Sequence, residues 1–119
     1  SHFSVGAAAR LANGTVVTGT NQENAAYPSG LCAERTTLFY ANSQYPDQAV
    51  ETLAIAARNE QDFLDDPIPP CGACRQVMLE TEKRFKRPMR ILLFGKKGIY
   101  EMKSVGTLLP LSFDASSME

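Results

Sequence analysis

What this 119-residue chain lacks narrows its class before any motif is considered. No apolar run approaches the ~20 residues a membrane-spanning helix needs, and no charged-then-apolar leader opens the sequence. A cytosolic location with no membrane partner is the expectation. Excess charge is missing too: lysine plus arginine number 12 against 13 aspartates plus glutamates, a formal net charge of -1. Nothing global draws such a chain to a phosphate backbone, so no nucleic-acid partner is expected. Cysteines are too few for a disulfide framework and odd in number at three. Two of them form a C-x-x-C pair, which suits metal ligation in a reducing compartment. Repeats and low-complexity segments are absent. The length supports one core, so residues 1–119 are expected to form a single domain.

What is present reads as alternating strands and helices. Phe3 to Ala9 and Thr15 to Thr18 are apolar, β-branched-rich runs flanking Asn13-Gly14, a dipeptide that accepts the positive φ of a tight hairpin; they predict two antiparallel strands. Asn21 to Gly30 lacks a period and reads as a loop. From Cys32 to about Asn42 good helix formers put Leu38 and Ala41 on a face with Glu34. Thr52 to Ala57 is short, apolar and bounded by charges, which predicts a buried strand. Asn59 to Asp66 is an acidic loop, and Pro67, Pro69 and Pro70 forbid regular structure until Cys71. A second helix then carries Val77, Met78 and Leu79 inward and ends near Phe85, ahead of Pro88. Arg90 to Phe94 and Ile99 to Ser104 flank the turn signal Gly95-Lys96-Lys97-Gly98 as a second hairpin, and a helical turn at Val105 to Leu109 precedes a polar tail.

The order β-β-α-β-α-β-β contains two helical crossovers, which join parallel strands with right-handed sense. Both helices therefore start at one end of the sheet. If strand order progresses in one direction, both lie on one face and the other face has no long helix.

That topology brings together two distant stretches, Leu31-Cys32-Ala33-Glu34-Arg35 and Pro69-Pro70-Cys71-Gly72-Ala73-Cys74-Arg75-Gln76. Cys71 and Cys74 are one helical turn apart and can share an ion, with Cys32 as third ligand from the neighbouring helix. Three thiolates leave a zinc coordination position open for a water. Their excess negative charge would be offset by two helix N-termini and by Arg35 and Arg75. Glu34 is too close in sequence to Cys32 to point far away and is assigned proton transfer rather than ligation. Two other readings use some of the same residues: a closed structural zinc site with His2 as fourth ligand, and a thioredoxin-like dithiol. The dithiol leaves Cys32 and Glu34 without a task. Asn21 and Glu23, two apart in an extended segment, share one side and offer an amide and a carboxylate to sugar hydroxyls; loop stabilisation is the alternative. Lys83, Arg84, Lys86, Arg87 and Arg90 form a basic cluster of the kind that finishes helices on solvated faces.

Cys32-Ala33-Glu34-Arg35 followed by Pro70-Cys71-Gly72-Ala73-Cys74-Arg75-Gln76 resembles the small homotetrameric zinc-dependent cytidine deaminases. The likeness spans nearly the whole chain, including Ser1-His2-Phe3, Val5 to Ala8, Asn21, Glu23-Asn24-Ala25, Leu108-Leu109-Pro110 and Phe113. It implies a three-layer α/β/α fold: a five-stranded mixed sheet with two zinc-bearing helices on one face. It implies one zinc ion per chain on Cys32, Cys71 and Cys74, and a metal-activated water that attacks C4 of the pyrimidine. Glu34 then moves a proton to N3 and on to the leaving ammonia. Cytidine or deoxycytidine would become the uridine form, a pyrimidine-salvage reaction. By the same resemblance Asn21 and Glu23 hold the ribose, Phe3 packs against the base, and Ala33 is a further substrate-binding residue. Tyr27 and Phe113 match residues that neighbouring subunits contribute in a homo-oligomer, a tetramer in this family.

The chain departs from the family pattern in three places. It starts at Ser1, where members carry an N-terminal helix that would cover the bare sheet face; either this sequence begins after that helix, or a subunit interface covers the face in its place. The acidic loop Asn59 to Asp66 is longer, and Gln22 replaces an apolar residue. Two other functions use the same scaffold: a zinc-bound, non-catalytic nucleoside-binding domain, and a deaminase of modified nucleosides or aminoacyl-nucleoside antibiotics.

Overall fold

The computed structural model describes residues 3–119; Ser1 and His2, and with them the fourth-ligand role considered for His2, lie outside the described residues. Strands β1 (Ser4–Leu11) and β2 (Val16–Thr20) form the first hairpin. Its turn is closed by the Leu11 N–H donating to the Thr15 carbonyl at 2.8 Å, with Gly14 at φ 87°. A side chain there would be strained, so glycine is required. Helix α1 (Ala33–Gln44) follows the loop, then β3 (Val50–Arg58), α2 (Gly72–Phe85), β4 (Arg90–Gly95) and β5 (Gly98–Met102). β3 extends beyond the expected Thr52 to Ala57, and β5 stops two residues before Ser104.

The strands lie in the order β2-β1-β3-β4-β5, antiparallel except for the parallel β3–β4 pair. β2 and β3 point the same way, as two crossovers require, but β1 occupies the slot between them. The register explains why: Ala7 pairs with Ile55 and Ala9 with Leu53, so alternate residues of both strands share one apolar face.

That face carries both helices. Ala7, Ala9 and Leu11, Leu53 and Ile55, and Ile91 and Leu93 form one buried cluster with Leu38 and Ala41 of α1 and Met78 and Leu79 of α2. Val77 is half-buried against it. Each fully buried large side chain contributes about 1.5–3 kcal/mol. The opposite face is floored by Gly6, Ala8, Ala54 and Ala56 beneath a groove of about 670 Å³. Among the described residues no helix is long and apolar enough to cross a membrane.

Helix α2 ends at Lys86, which adopts a left-handed φ of 52° two residues ahead of Pro88. Just before that end, Glu82 Oε2 accepts the N–H groups of Met89 at 2.8 Å and Val105 at 3.0 Å. One carboxylate thus ties the last turn of α2 to the segment leading into β4 and to the 3-10 turn Val105–Thr107.

Candidate active site

Cys32 and Cys71 are the N-cap residues of α1 and α2, both with extended backbone (φ -71°, ψ 158° and φ -68°, ψ 168°). A cysteine at this position leaves the first-turn N–H groups without the usual oxygen cap and turns the helix's positive end toward sulfur. Because both helices start at the same sheet end, the two caps meet. Sγ of Cys32 lies 3.6 Å from Sγ of Cys71, and Sγ of Cys71 lies 3.4 Å from Sγ of Cys74. All three sulfurs fall within 4.8 Å of one another. Thiolates on a tetrahedral zinc at ~2.3 Å stand ~3.8 Å apart, so the donor set fits the ion in type and spacing.

The surrounding groups favour thiolates unequally. Burial pushes the Cys74 thiol well up, and the neighbouring Cys71 and Cys32 sulfurs and the Glu34 carboxylate add to the rise. Partial burial also opposes ionisation at Cys71. There the N–H of Cys74, the sulfurs of Cys74 and Cys32 and the N–H of Ala73 outweigh it and bring the thiol below its ordinary value. Arg35 places Nη2 3.9 Å from Sγ of Cys32, and contact with that sulfur is the main cause of its raised pKa. A divalent cation among the three sulfurs would resolve the conflict at Cys74, since a coordinated thiol is held deprotonated.

Glu34 stands in the first turn of α1, only 4 % exposed, and its charge and hydrogen bonding are felt at Cys74. It lines a cleft of about 1010 Å³ whose wall also includes Cys32, Cys71 and Arg35. Phe3, Asn21, Glu23 and Tyr27 border the same cleft, so the segments expected to read sugar and base lie beside the cysteines. The side chains of Asn21 and Glu23 meet: Asn21 Nδ2 donates to Glu23 Oε1 at 3.2 Å and to the Phe3 carbonyl at 3.3 Å, and Asn21 Oδ1 accepts the Val5 N–H at 3.0 Å. Asn21 thereby fixes both Glu23 and the start of β1. The loop is shut behind them by a two-way backbone bridge between Gln22 and Leu31 (2.8 and 2.9 Å), next to Cys32.

Other residues lie away from the cleft. Ala33 is fully buried and its side chain belongs to the core cluster. Phe113 is 60 % exposed, with its carbonyl accepting from Gln76 Nε2 at 2.8 Å. Arg75 contacts main chain: Nε donates to the Pro70 carbonyl at 2.8 Å and Nη1 to the Leu108 carbonyl at 3.0 Å. The cation at the thiolates is Arg35. Ile68, not singled out from the sequence, and Pro69 and Pro70, read there only as breaking regular structure ahead of Cys71, supply a wall of the cleft. The signal for them was their position directly before Cys71.

An open set of three thiolates, a buried carboxylate beside it and a cleft above define a zinc enzyme that works on a small molecule. Residues 1–87 match the cytidine and deoxycytidylate deaminase zinc-binding region. The chain is 40% identical over 118 residues to a cytidine deaminase of Halalkalibacterium halodurans, covering 99% of this chain and 83% of that one. It is 39% identical over 118 residues to that of Sporosarcina psychrophila, covering 99% and 80%. Its fold matches the crystal structure of a cytidine deaminase from Burkholderia pseudomallei with TM-score 0.74 and 39% identity, covering 93% and 82% of the two chains. The chain belongs to the cytidine and deoxycytidylate deaminase family.

Proposed function

We propose that this chain hydrolyses cytidine and deoxycytidine to uridine and deoxyuridine plus ammonia, with Cys32, Cys71 and Cys74 as ligands of one zinc ion and Glu34 as proton carrier. The observation that carries this reading is the approach of the three sulfurs to within 4.8 Å beside a carboxylate only 4 % exposed. When bound, zinc supplies the Lewis acidity that makes a water nucleophilic at neutral pH. Glu34 would take a proton from the attacking water as its oxygen bonds to C4 and deliver it to N3 of the pyrimidine, then pass the proton of the new C4 hydroxyl to N4 as the C4–N4 bond breaks, leaving the C4 carbonyl and ammonia. Burial of Glu34 keeps bulk water from competing for that proton. Asn21 presents Glu23, whose carboxylate accepts hydrogen bonds from ribose hydroxyls, while Phe3 offers a ring to the base. Ala33 acts through its main chain at the helix start, since its side chain is in the core. Arg35 offsets the thiolate charge, and Arg75 holds the backbone just before Cys71.

We further infer a homo-oligomer, a tetramer, in which residues 1–119 of each subunit form one domain. Its support is the exposure of Tyr27 (86 %), Leu111 (96 %) and Phe113 (60 %) together with the bare, small-residue sheet face. In that assembly Phe113 and Tyr27 reach a neighbour's cleft; Tyr27 also borders the cleft of its own chain. Free thiols beside one another favour a reducing, cytosolic setting. An absorbance assay on cytidine with and without a zinc chelator tests the activity. Loss of the cytidine band that stops on chelation and returns with zinc supports it, and a band that never changes overturns it.

A further inference from the structure

The long acidic loop is a folded clasp rather than a slack connection. Asn59 Oδ1 accepts the N–H groups of Gln61 and Asp62 at 2.9 and 3.1 Å, turning the chain back on itself after β3. Leu64 then donates its N–H to the Ala57 carbonyl at 3.1 Å, and Phe63 packs edge-to-face on Phe94 of β4 with ring centroids 5.8 Å apart. The loop next grips the β4–β5 turn. The N–H of Lys96 donates to the Leu64 carbonyl and that of Lys97 to the Asp65 carbonyl, both at 3.0 Å. Lys96 Nζ closes the grip on Asp62 at 2.8 Å and reaches Asp65 at 3.7 Å.

Gly95 lies beneath this contact. A Cβ at Gly95 would stand 2.5 Å from the Asp65 carbonyl oxygen and 2.7 Å from both N and Cδ of Pro67. Two of those three atoms are backbone, so the loop would have to lift. The residues that follow Pro67 at once are Ile68, Pro69 and Pro70, which line the cleft. Prolines transmit such a displacement because their φ is fixed.

We propose that the clasp sets the position of the Ile68–Pro70 wall, with Gly95 and Lys96 as positioning residues for nucleoside binding although neither borders the cleft. The chemistry at the sulfurs and Glu34 is left to α1 and α2, so the clasp governs substrate affinity rather than turnover. This inference rests on the proposed cytidine deamination, and turnover of cytidine by the unaltered protein is the control that separates the two.

The test compares steady-state kinetics on cytidine, zinc content and thermal melting for the unaltered protein and for Gly95→Ala, Lys96→Glu and Lys96→Arg. Gly95→Ala is expected to raise KM about tenfold with zinc retained and kcat within about twofold. Lys96→Glu sets like charge against Asp62 and Asp65 and is expected to raise KM about threefold, while Lys96→Arg restores the unaltered value. If Gly95→Ala does not fold, the Lys96 pair decides. Unchanged KM in the folded variants of an active enzyme overturns the proposal, as does a loss confined to zinc content and kcat. No turnover by the unaltered protein defeats the deaminase reading instead.

Discussion

Replacing Glu82 by alanine probes how the outer end of α2 is held. Its Oε2 accepts two main-chain N–H groups, from Met89 at 2.8 Å and Val105 at 3.0 Å, and both of those residues are 0 % exposed. Truncation leaves two buried donors without an acceptor, at about 1–3 kcal/mol each, so the loss is about 2–6 kcal/mol. That is a large share of the ~5–15 kcal/mol by which a domain is stable. Glu82→Gln keeps an acceptor oxygen but loses the charge assistance, and should cost about 1–1.5 kcal/mol. Glu80→Ala is the control: exposed on the same helix and, among the described residues, bonded through its side chain only to Gln76, it should stay within about 0.5 kcal/mol. Urea denaturation reads all three as shifts in midpoint at constant slope. The Val105 turn leads to the Leu108 carbonyl gripped by Arg75, so Glu82→Ala should also loosen the segment that follows. A Glu82→Ala protein within about 0.5 kcal/mol of the unaltered one would refute the reasoning.

Three further outcomes follow from local geometry. Lys86→Gly removes the strain of a left-handed non-glycine residue at the end of α2; with part of the gain offset by backbone entropy, thermal melting should show a rise of about 0.5 kcal/mol. Cys74→Ser removes the most buried of the three sulfurs, and metal analysis should show far less than one zinc per chain, with the zinc-dependent rise in melting temperature gone. The Asp62–Lys96 pair has a defined pH window. Lys96 holds the Asp62 carboxyl below its ordinary value and is itself held above its own. The contribution of Asp62 is therefore present above about pH 4 and lost as pH falls through its depressed pKa, and that of Lys96 is lost as pH rises through its raised one. The stability difference between the unaltered protein and Asp62→Asn should be flat from about pH 5 to about pH 9 and shrink outside it.

The site was more legible in the sequence than the scaffold around it. Cys32, Glu34, Cys71 and Cys74 could be placed together because two crossover helices must begin at one sheet end, and the structure caps the two helices with Cys32 and Cys71. The hairpins were visible in Asn13-Gly14 and Gly95 to Gly98, where turn chemistry is local. What escaped was decided by distant partners. Nothing near β1 in sequence says that it inserts between β2 and β3; complementary apolar faces set that choice. Arg75 looked like a partner for the thiolates by proximity, yet its guanidinium reaches carbonyls on both sides, one of them in a segment 33 residues away. The acidic loop could be read only as a loop because its fasteners, Lys96 and Phe94, belong to a later hairpin.

The measurement that bears most directly on the central claim pairs zinc content with cytidine turnover in the unaltered protein and in Glu34→Gln. An amide of the same size leaves Cys32, Cys71 and Cys74 in place but cannot carry the proton. One zinc per chain in both proteins, with uridine formed by the first and turnover in the second lower by at least about 10²–10⁴-fold, is the predicted result. Undiminished turnover by a zinc-loaded Glu34→Gln protein, or a zinc-loaded unaltered protein that forms no uridine, would contradict it.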